Sequence, residues 1–406
     1  LYLNKGSMKF TDVTDVANVG GEGRWCTGVS VVDINADGWP DIYVCASFRS
    51  DPLLRTNLLY INQGLNKDGV PTFKESAAAY GLDDDGCSTQ AYFFDYDNDG
   101  DLDMYLVTNE IYDPKTPIKF RPKVTDGSAK NTDRLYRNNG NRTFSDVSKT
   151  AGITIEGWGH AACITDINKD GWPDIYVAND FVSNDLCYIN NKDGTFTDRI
   201  TEYFKHTAWN AMGTDAVDIN NDGLVDFVSL EMLPEDNLRK KRMLSGNEYY
   251  NYINSAMYGY QQQYVRNMFQ LNSGVTPKGH SIFNDIGFMA GVYQTDWSWC
   301  PLVADFDHDG RKDLIIKNGL PGVCPRAVGR GGGGNEPLRQ RSFRRPWPAR
   351  HCCQALPGHS NCGSLPCRSA NPRMRSGRRY TSIPRSTRLG PSNPYSGCSI
   401  FHSNHL

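Results

Sequence analysis

Long apolar runs, CxxC-spaced cysteines and, over most of its length, positive charge are what this 406-residue chain is short of. No run approaches the ~18 apolar residues of a membrane-spanning helix, so a helical span is not expected. Without CxxC pairs there is no zinc-knuckle or dithiol pattern. The six cysteines of the first 323 residues, Cys26, Cys45, Cys87, Cys163, Cys187 and Cys300, are scattered. Several fall in apolar runs, which favours buried small side chains, with disulfides left open. Histidine is scarce at eight residues, and no GxSxG nucleophile motif occurs. Residues 1–323 hold 29 bases against 45 acids, a net charge of −16. Nucleic-acid binding needs Lys and Arg for phosphate, so a polynucleotide partner is excluded as an expectation.

The last 83 residues lack the opposite things. From Cys324 onward there is no Lys and no Asp, only Glu336 as an acid, yet 14 Arg, 10 Pro and six Cys. The shift is abrupt, just after the strand-like LIIKNGLPG. A reading-frame change after about Pro321 explains composition and abruptness together. A disordered basic tail or a Cys-stapled module are the alternatives. The division is therefore 1–320 for the repeat body and 321–406 for an Arg/Pro/Gly/Cys-rich tail, which is given no function.

What the body does have is repetition. The pattern D-x-[DN]-x-D-G-x-x-D occurs five times, starting at Asp33, Asp95, Asp166, Asp218 and Asp305, at spacings of 62, 71, 52 and 87 residues. Each loop lies between two short apolar runs. A segment like NLLYIN (57–62) or DLCYIN (185–190) follows, then a Gly turn into TFKES (72–76) or TFTDR (195–199). Runs of this length, aromatic and β-branched, bounded by Gly, Asn and Asp, are strands. Four strands per repeat are the signature of a β-propeller blade. The expected fold is all-β, about five blades of a larger ring. Leu1–Val13 supplies the second half of one blade, four complete blades follow, and the Asp305 loop supplies the first half of another. Residues 234–265 interrupt the fourth repeat, with LRKKRML helical and a Tyr/Asn/Gln run exposed. That insertion is either a helical cap packed on the ring or a binding surface.

The loops carry the chemistry. Positions one, three, five and nine are Asp33, Asn35, Asp37 and Asp41; Asp95, Asp97, Asp99 and Asp103; Asp166, Asn168, Asp170 and Asp174; Asp218, Asn220, Asp222 and Asp226; and Asp305, Asp307, Asp309 and Asp313. Gly at position six allows the positive φ that folds each loop back on itself. Oxygen donors with no Cys and no regular His select a hard cation, and Ca²⁺ tolerates such flexible sets better than Mg²⁺. About five structural Ca²⁺ are expected. An EF-hand is excluded because position twelve is Val44, Leu106, Val177, Ser229 or Ile316 rather than Glu. A metal-free Asx-rich turn is the alternative, but it would not require the Asp at position nine. The Asp95 loop, with four carboxylates, is expected to bind tightest.

These loops, with the L-Y-x-N and T-F-x-D strands, resemble the FG-GAP/VCBS-repeat family over residues 1–320. That family includes integrin α-chain propellers and bacterial relatives of cartilage acidic protein, and MLPEDN (232–237) is similar to the bacterial members. The resemblance implies a secreted, cell-surface or periplasmic propeller, usually seven-bladed, with calcium hairpins on one face and ligand contacts on the other. The expected function is recognition or adhesion toward a protein or glycan, and no enzyme. The alternative is a polysaccharide lyase or glycosidase on a calcium-loaded propeller. His160, His206, His280 and His308 occupy unrelated repeat positions, which disfavours a shared catalytic centre. Trp25, Trp158 and Trp297 each precede a loop by eight residues, which suggests packing between blades, with a ligand face as the alternative. Trp39 and Trp172, at loop position seven, are expected to cover the metal sites.

Overall fold

The computed structural model describes residues 1–110, 120–243, 249–276 and 279–318. The tail 321–406 lies outside them. Four successive four-stranded antiparallel sheets follow one another, three formed by consecutive strands and the fourth interrupted by the short strands Met232–Leu233 and Gln263–Tyr264. The first comprises Cys26–Val32, Asp41–Ala46, Leu58–Leu65 and Pro71–Glu75. The second comprises Cys87–Phe94, Asp103–Asn109, Arg134–Asn138 and Phe144–Asp146. The third comprises Gly159–Thr165, Asp174–Asn179, Leu186–Asn190 and Phe196–Asp198. The fourth comprises Thr214–Val217, Asp226–Ser229, Met268–Val275 and Ser281–Asp285. Ahead of them lies the hairpin Tyr2–Asn4/Phe10–Asp12. After them Asp296–Ala304 pairs with Asp313–Asn318, and on its other side with Met232–Leu233. The half-repeats expected at either end are thus a hairpin and a strand pair.

Period-two alternation explains how the sheets stack, because neighbouring side chains on a strand point to opposite faces. Tyr43 packs toward the second sheet, while Val44 packs toward the N-terminal hairpin. Met104 and Leu106 face the first sheet, whereas Tyr105 and Val107 face the third. Ile175 and Val177 join the second sheet, and Tyr176 the fourth. Each second strand is buried on both faces, so it reads as a continuous apolar run rather than an alternating one. Phe227, fully buried among Tyr176, Phe204 and Phe283, typifies this core. Truncation to Ala there should cost about 3–5 kcal/mol.

The first strands of successive sheets also touch one another. Glycine makes this possible: a Cβ on Gly28 would lie 2.4 Å from the Thr89 carbonyl oxygen, and one on Gly213 would lie 2.1 Å from that of Trp299. No side chain fits there.

The insertion folds as two short helices, Asn237–Met243 and Tyr249–Asn254, where the sequence suggested one. The tyrosine-rich run is helical, and Tyr249 and Tyr250 are exposed. Its far end is anchored. Gln263–Tyr264 pairs in parallel with Thr207–Ala208. Phe120 stacks on Tyr260, and the Lys123 amide donates to the Tyr258 carbonyl at 2.8 Å. Buried Glu156 accepts both terminal nitrogens of Arg121 at 2.8 and 2.6 Å, and the Tyr260 hydroxyl at 3.2 Å. The segment between the second and third strands of the second sheet is thereby strapped to the insertion of the fourth.

Candidate metal sites

Each Asp loop connects the first and second strands of its sheet and folds the same way. The position-one carboxylate accepts the amides of positions five and six, as Asp33 does from Asp37 at 3.0 Å and Gly38 at 2.8 Å. Asp95, Asp166, Asp218 and Asp305 repeat both bonds. Asn35, Asn168, Asn220 and Asp307 at position three also accept the position-five amide. Position five then accepts the amide of position seven, as Asp37, Asp99, Asp170, Asp222 and Asp309 all do. Gly38 takes φ +87°, a value that costs other residues strain.

Position nine does something else. Asp41, Asp103, Asp174 and Asp226 are almost wholly buried. One oxygen of each accepts the amide of position two: Ile34, Tyr96, Ile167 or Ile219. The other accepts an amide of the third strand: Asn62, Asn138, Asn190 or Asn272, at 2.7–2.8 Å. Burial raises the Asp103 carboxyl to about 8, against those two amides and with help from neighbouring carboxylates. The same balance brings Asp174 to about 7 and Asp226 to about 6, and raises Asp41.

The strand-three asparagines are the residues whose task the sequence did not disclose. Besides its amide bond, each donates Nδ2 to the carbonyl of loop position eight: Pro40, Leu102, Pro173 or Val225. Each Oδ1 accepts an amide in the next turn, Gly64, Gly140, Lys192 or Gly274. One side chain thus ties the loop to the strand-three/strand-four turn. The acids of the T-F-x-D strands are structural in the same sense. Asp198 accepts the Cys187 and Ile200 amides, and Asp285 those of Phe269 and Gly287.

Two groups of three acids bring oxygens within 4.8 Å of one another among the described residues: Asp95, Asp97 and Asp99, and Asp305, Asp307 and Asp313. The first excludes Asp103, whose oxygens are held by backbone; the second includes Asp313, which accepts only the Phe306 amide. Asp97 Oδ1 is buried without any hydrogen-bond partner. An oxygen-only cluster with an orphaned buried carboxylate oxygen fits a hard divalent cation.

The other residues singled out by sequence divide. Trp158 is buried against Phe181, but its counterpart Trp25 is 58% exposed beside Phe48, so regular spacing does not give one packing role. Trp39 is exposed, while Trp172 is half-buried. His206 meets Asp285 at 3.0 Å, His280 meets Glu202 at 3.1 Å, and His160 meets Asp180 at 3.4 Å with Trp299 against its ring. Each pairs with an acid rather than packing into apolar core. His308 lies inside the fifth loop. Cys45, Cys163 and Cys187 are buried, Cys87 and Cys300 half-buried and Cys26 exposed.

No helix among the described residues is long and apolar enough to cross a membrane. No curated protein matches the chain. Solved structures similar to it include the V. cholerae biofilm matrix protein Bap1, 16% identical over 72% of this chain and 35% of that one, TM-score 0.34. Rhamnogalacturonan lyase YesW is 12% identical over 72% of this chain and 55% of that one, TM-score 0.32. Bacillus licheniformis rhamnogalacturonan lyase PL11 has the same identity and coverages, TM-score 0.30. The chain thus spans about a third of Bap1 and just over half of each lyase. The FG-GAP-like repeat model matches residues 1–44, 124–177 and 166–229. The first two run from the closing hairpin of one sheet through the Asp loop of the next, at Asp33 and Asp166, and the third runs from the Asp166 loop through the Asp218 loop. Five loops share one geometry, four of them clamped by a strand-three asparagine, and the matched stretches are FG-GAP-like repeats.

Proposed function

We propose that the chain is a calcium-stabilised, extracellular or cell-surface recognition module that binds a protein or glycan ligand. The observation that carries it is the fivefold recurrence of one oxygen-lined loop with the same internal hydrogen bonds. In this reading the sheets are blades of a β-propeller, supported by first strands that lie side by side. Calcium would be held by Asp95, Asp97 and Asp99, by Asp305, Asp307 and Asp313, and by the equivalent Asp/Asn sets of the other loops. Bound there, it neutralises crowded carboxylates, and its role is structural. The residues around it already orient one another through backbone amides, which leaves few donors to rearrange on binding. The full chain probed on glycan and protein arrays, with calcium and with chelator, tests this reading. Calcium-dependent capture of a ligand supports it; no capture in either condition refutes it.

A second reading, a lyase or glycosidase, is favoured by one observation. His160, paired with Asp180, sits beside the 42% exposed Trp299, a base candidate next to a stacking platform. Release of reducing or unsaturated sugar ends from a polysaccharide panel, lost in His160→Ala, would establish it over the first.

A further inference from the structure

The Asp loops repeat, but the walls between them do not. A cleft of about 360 Å³ lies between the second and third loops. Its lining includes Asp97 and Arg137 from the second sheet and Trp172, Lys192, Asp193 and Thr195 from the third. Arg137 immediately precedes the clamping Asn138, and the equivalent positions are Ile61, Ile189 and Leu271. Lys192 follows Asn190 by two, where the other sheets have Gly64, Gly140 and Gly274. The fold therefore requires no charge at either position. Two separate departures from the repeat nonetheless place a cation on each wall of one cleft.

The chemistry of the lining is specific. Arg137 is exposed and lines the cleft together with Asp97. Lys192 Nζ lies 3.3 Å from Asp170. Asp193 is occupied in its own turn, accepting the Thr195 amide and hydroxyl at 3.1 and 2.6 Å. Asp97 Oδ1 is buried and unpartnered. The formal charges of Asp97, Asp193, Arg137 and Lys192 cancel. A divalent cation in the Asp95–Asp99 loop only offsets Asp95 and Asp99, which would hold it together with Asp97, so the cleft stays neutral and Arg137 and the cation are its attractive groups for an anion. The Trp172 indole supplies an apolar face, and Thr195 a hydroxyl.

We propose that this cleft binds an anionic saccharide, its carboxylate shared between Arg137 and the cation of the Asp95 loop and its ring packed on Trp172. The assignment rests on the calcium reading above and adds the site and the ligand class. A planar carboxylate suits a guanidinium and a hard cation together. A ring with an apolar face and hydroxyl edges suits an indole beside Thr195.

The test is calorimetric titration of the full chain with tetragalacturonate in ~1 mM calcium, a level that fills extracellular-type sites, with thermal melting of every variant in parallel. Saturable binding is expected, weakened about tenfold or more by Trp172→Ala and by Arg137→Gln. Trp39→Ala, at the equivalent place in a loop without flanking cations, should bind as the parent does. Binding that survives both cleft substitutions, or is unchanged in excess chelator, overturns the assignment. So does equal binding of neutral maltotetraose. Polyglutamate binding more tightly than the uronate would transfer the site to an acidic protein and overturn it equally. If calcium raises the melting temperature but the uronate does not bind, only this assignment fails. If calcium leaves melting unchanged, the calcium reading itself fails.

Discussion

The second and fifth Asp loops have the same four carboxylates at the same positions, yet they assemble different triads. Asp103 is withdrawn into the sheet by the Tyr96 and Asn138 amides, leaving Asp95, Asp97 and Asp99 as the cluster. In the fifth loop no third strand is paired beside Asp313–Asn318 among the described residues. Among the described residues Asp313 accepts the Phe306 amide alone, and its carboxylate joins Asp305 and Asp307. The ninth-position acid is thus held by two backbone amides in the second loop and, among the described residues, by one in the fifth. Loop sequence alone does not decide.

The largest expected effect treats all loops alike. If the sites resemble extracellular modules with dissociation constants of ~10⁻⁴ M, ~1 mM calcium stabilises each by about 1.4 kcal/mol. Five sites then approach about 7 kcal/mol, within the range of a whole domain's stability. Thermal unfolding of the full chain should therefore shift down by about 10 °C or more in excess chelator. An unchanged midpoint would sink structural calcium in every loop at once.

Asp103→Ala against Asp313→Ala breaks the comparison directly. The first strands two buried amides and should cost about 3 kcal/mol even without calcium, whereas the second loses one half-exposed bond at about 1 kcal/mol. Denaturant unfolding in chelator measures both, and equal costs would remove the distinction. In calcium the order of a second pair should invert with respect to metal. Asp95→Asn should remove one site, about 1.4 kcal/mol of calcium-dependent stabilisation, while Asp103→Asn should keep the metal count. A titration in which Asp95→Asn retains full stoichiometry would contradict the cluster assignment.

The smallest effect is a pH difference. Asp103 has its folded carboxyl raised from 3.8 to about 8, chiefly by burial. Between those values the folded chain keeps this proton and the unfolded chain has lost it. The group's contribution to stability therefore falls as pH rises through that window. Asn cannot titrate, so in chelator the stability lost on Asp103→Asn should be greater near pH 5 than near pH 8. A loss independent of pH would mean that Asp103 is ionised in the fold, as the other amide-bonded acids could then be too.

Sheet order and loop geometry were legible because apolar alternation and the Asp-Gly spacing are local. TFKES and NLLYIN marked strands four and three of the first sheet, and both lie there. What stayed hidden was any task performed on a backbone group far along the chain. Asn138 reads as a strand-ending turn residue, yet its partners sit 35 and 36 residues away. The strap of Phe120 on Tyr260 and Arg121 on Glu156 was equally invisible, since nothing local distinguishes those side chains from solvent-facing ones. The three regular tryptophans failed for a related reason: Trp25, Trp158 and Trp297 share a position but are exposed, buried and half-buried, because exposure is set by what the neighbouring segment brings over them.

The glycines of the first strands carry a consequence for how such a chain can change. Gly28, Gly159 and Gly213 each approach a carbonyl oxygen of a neighbouring sheet, at Thr89, Thr108 and Trp299. Every residue type offers that carbonyl. The part of that contact written in main-chain atoms makes little demand on the neighbour's identity, although the Gln90 and Val107 side chains also crowd Gly28 and Gly159, and each four-stranded unit carries its own loop, asparagine clamp and strand-four acid. Duplication or exchange of whole units is then tolerated at the seams, and a unit can acquire features such as Arg137 or Lys192 without its neighbours having to change with it.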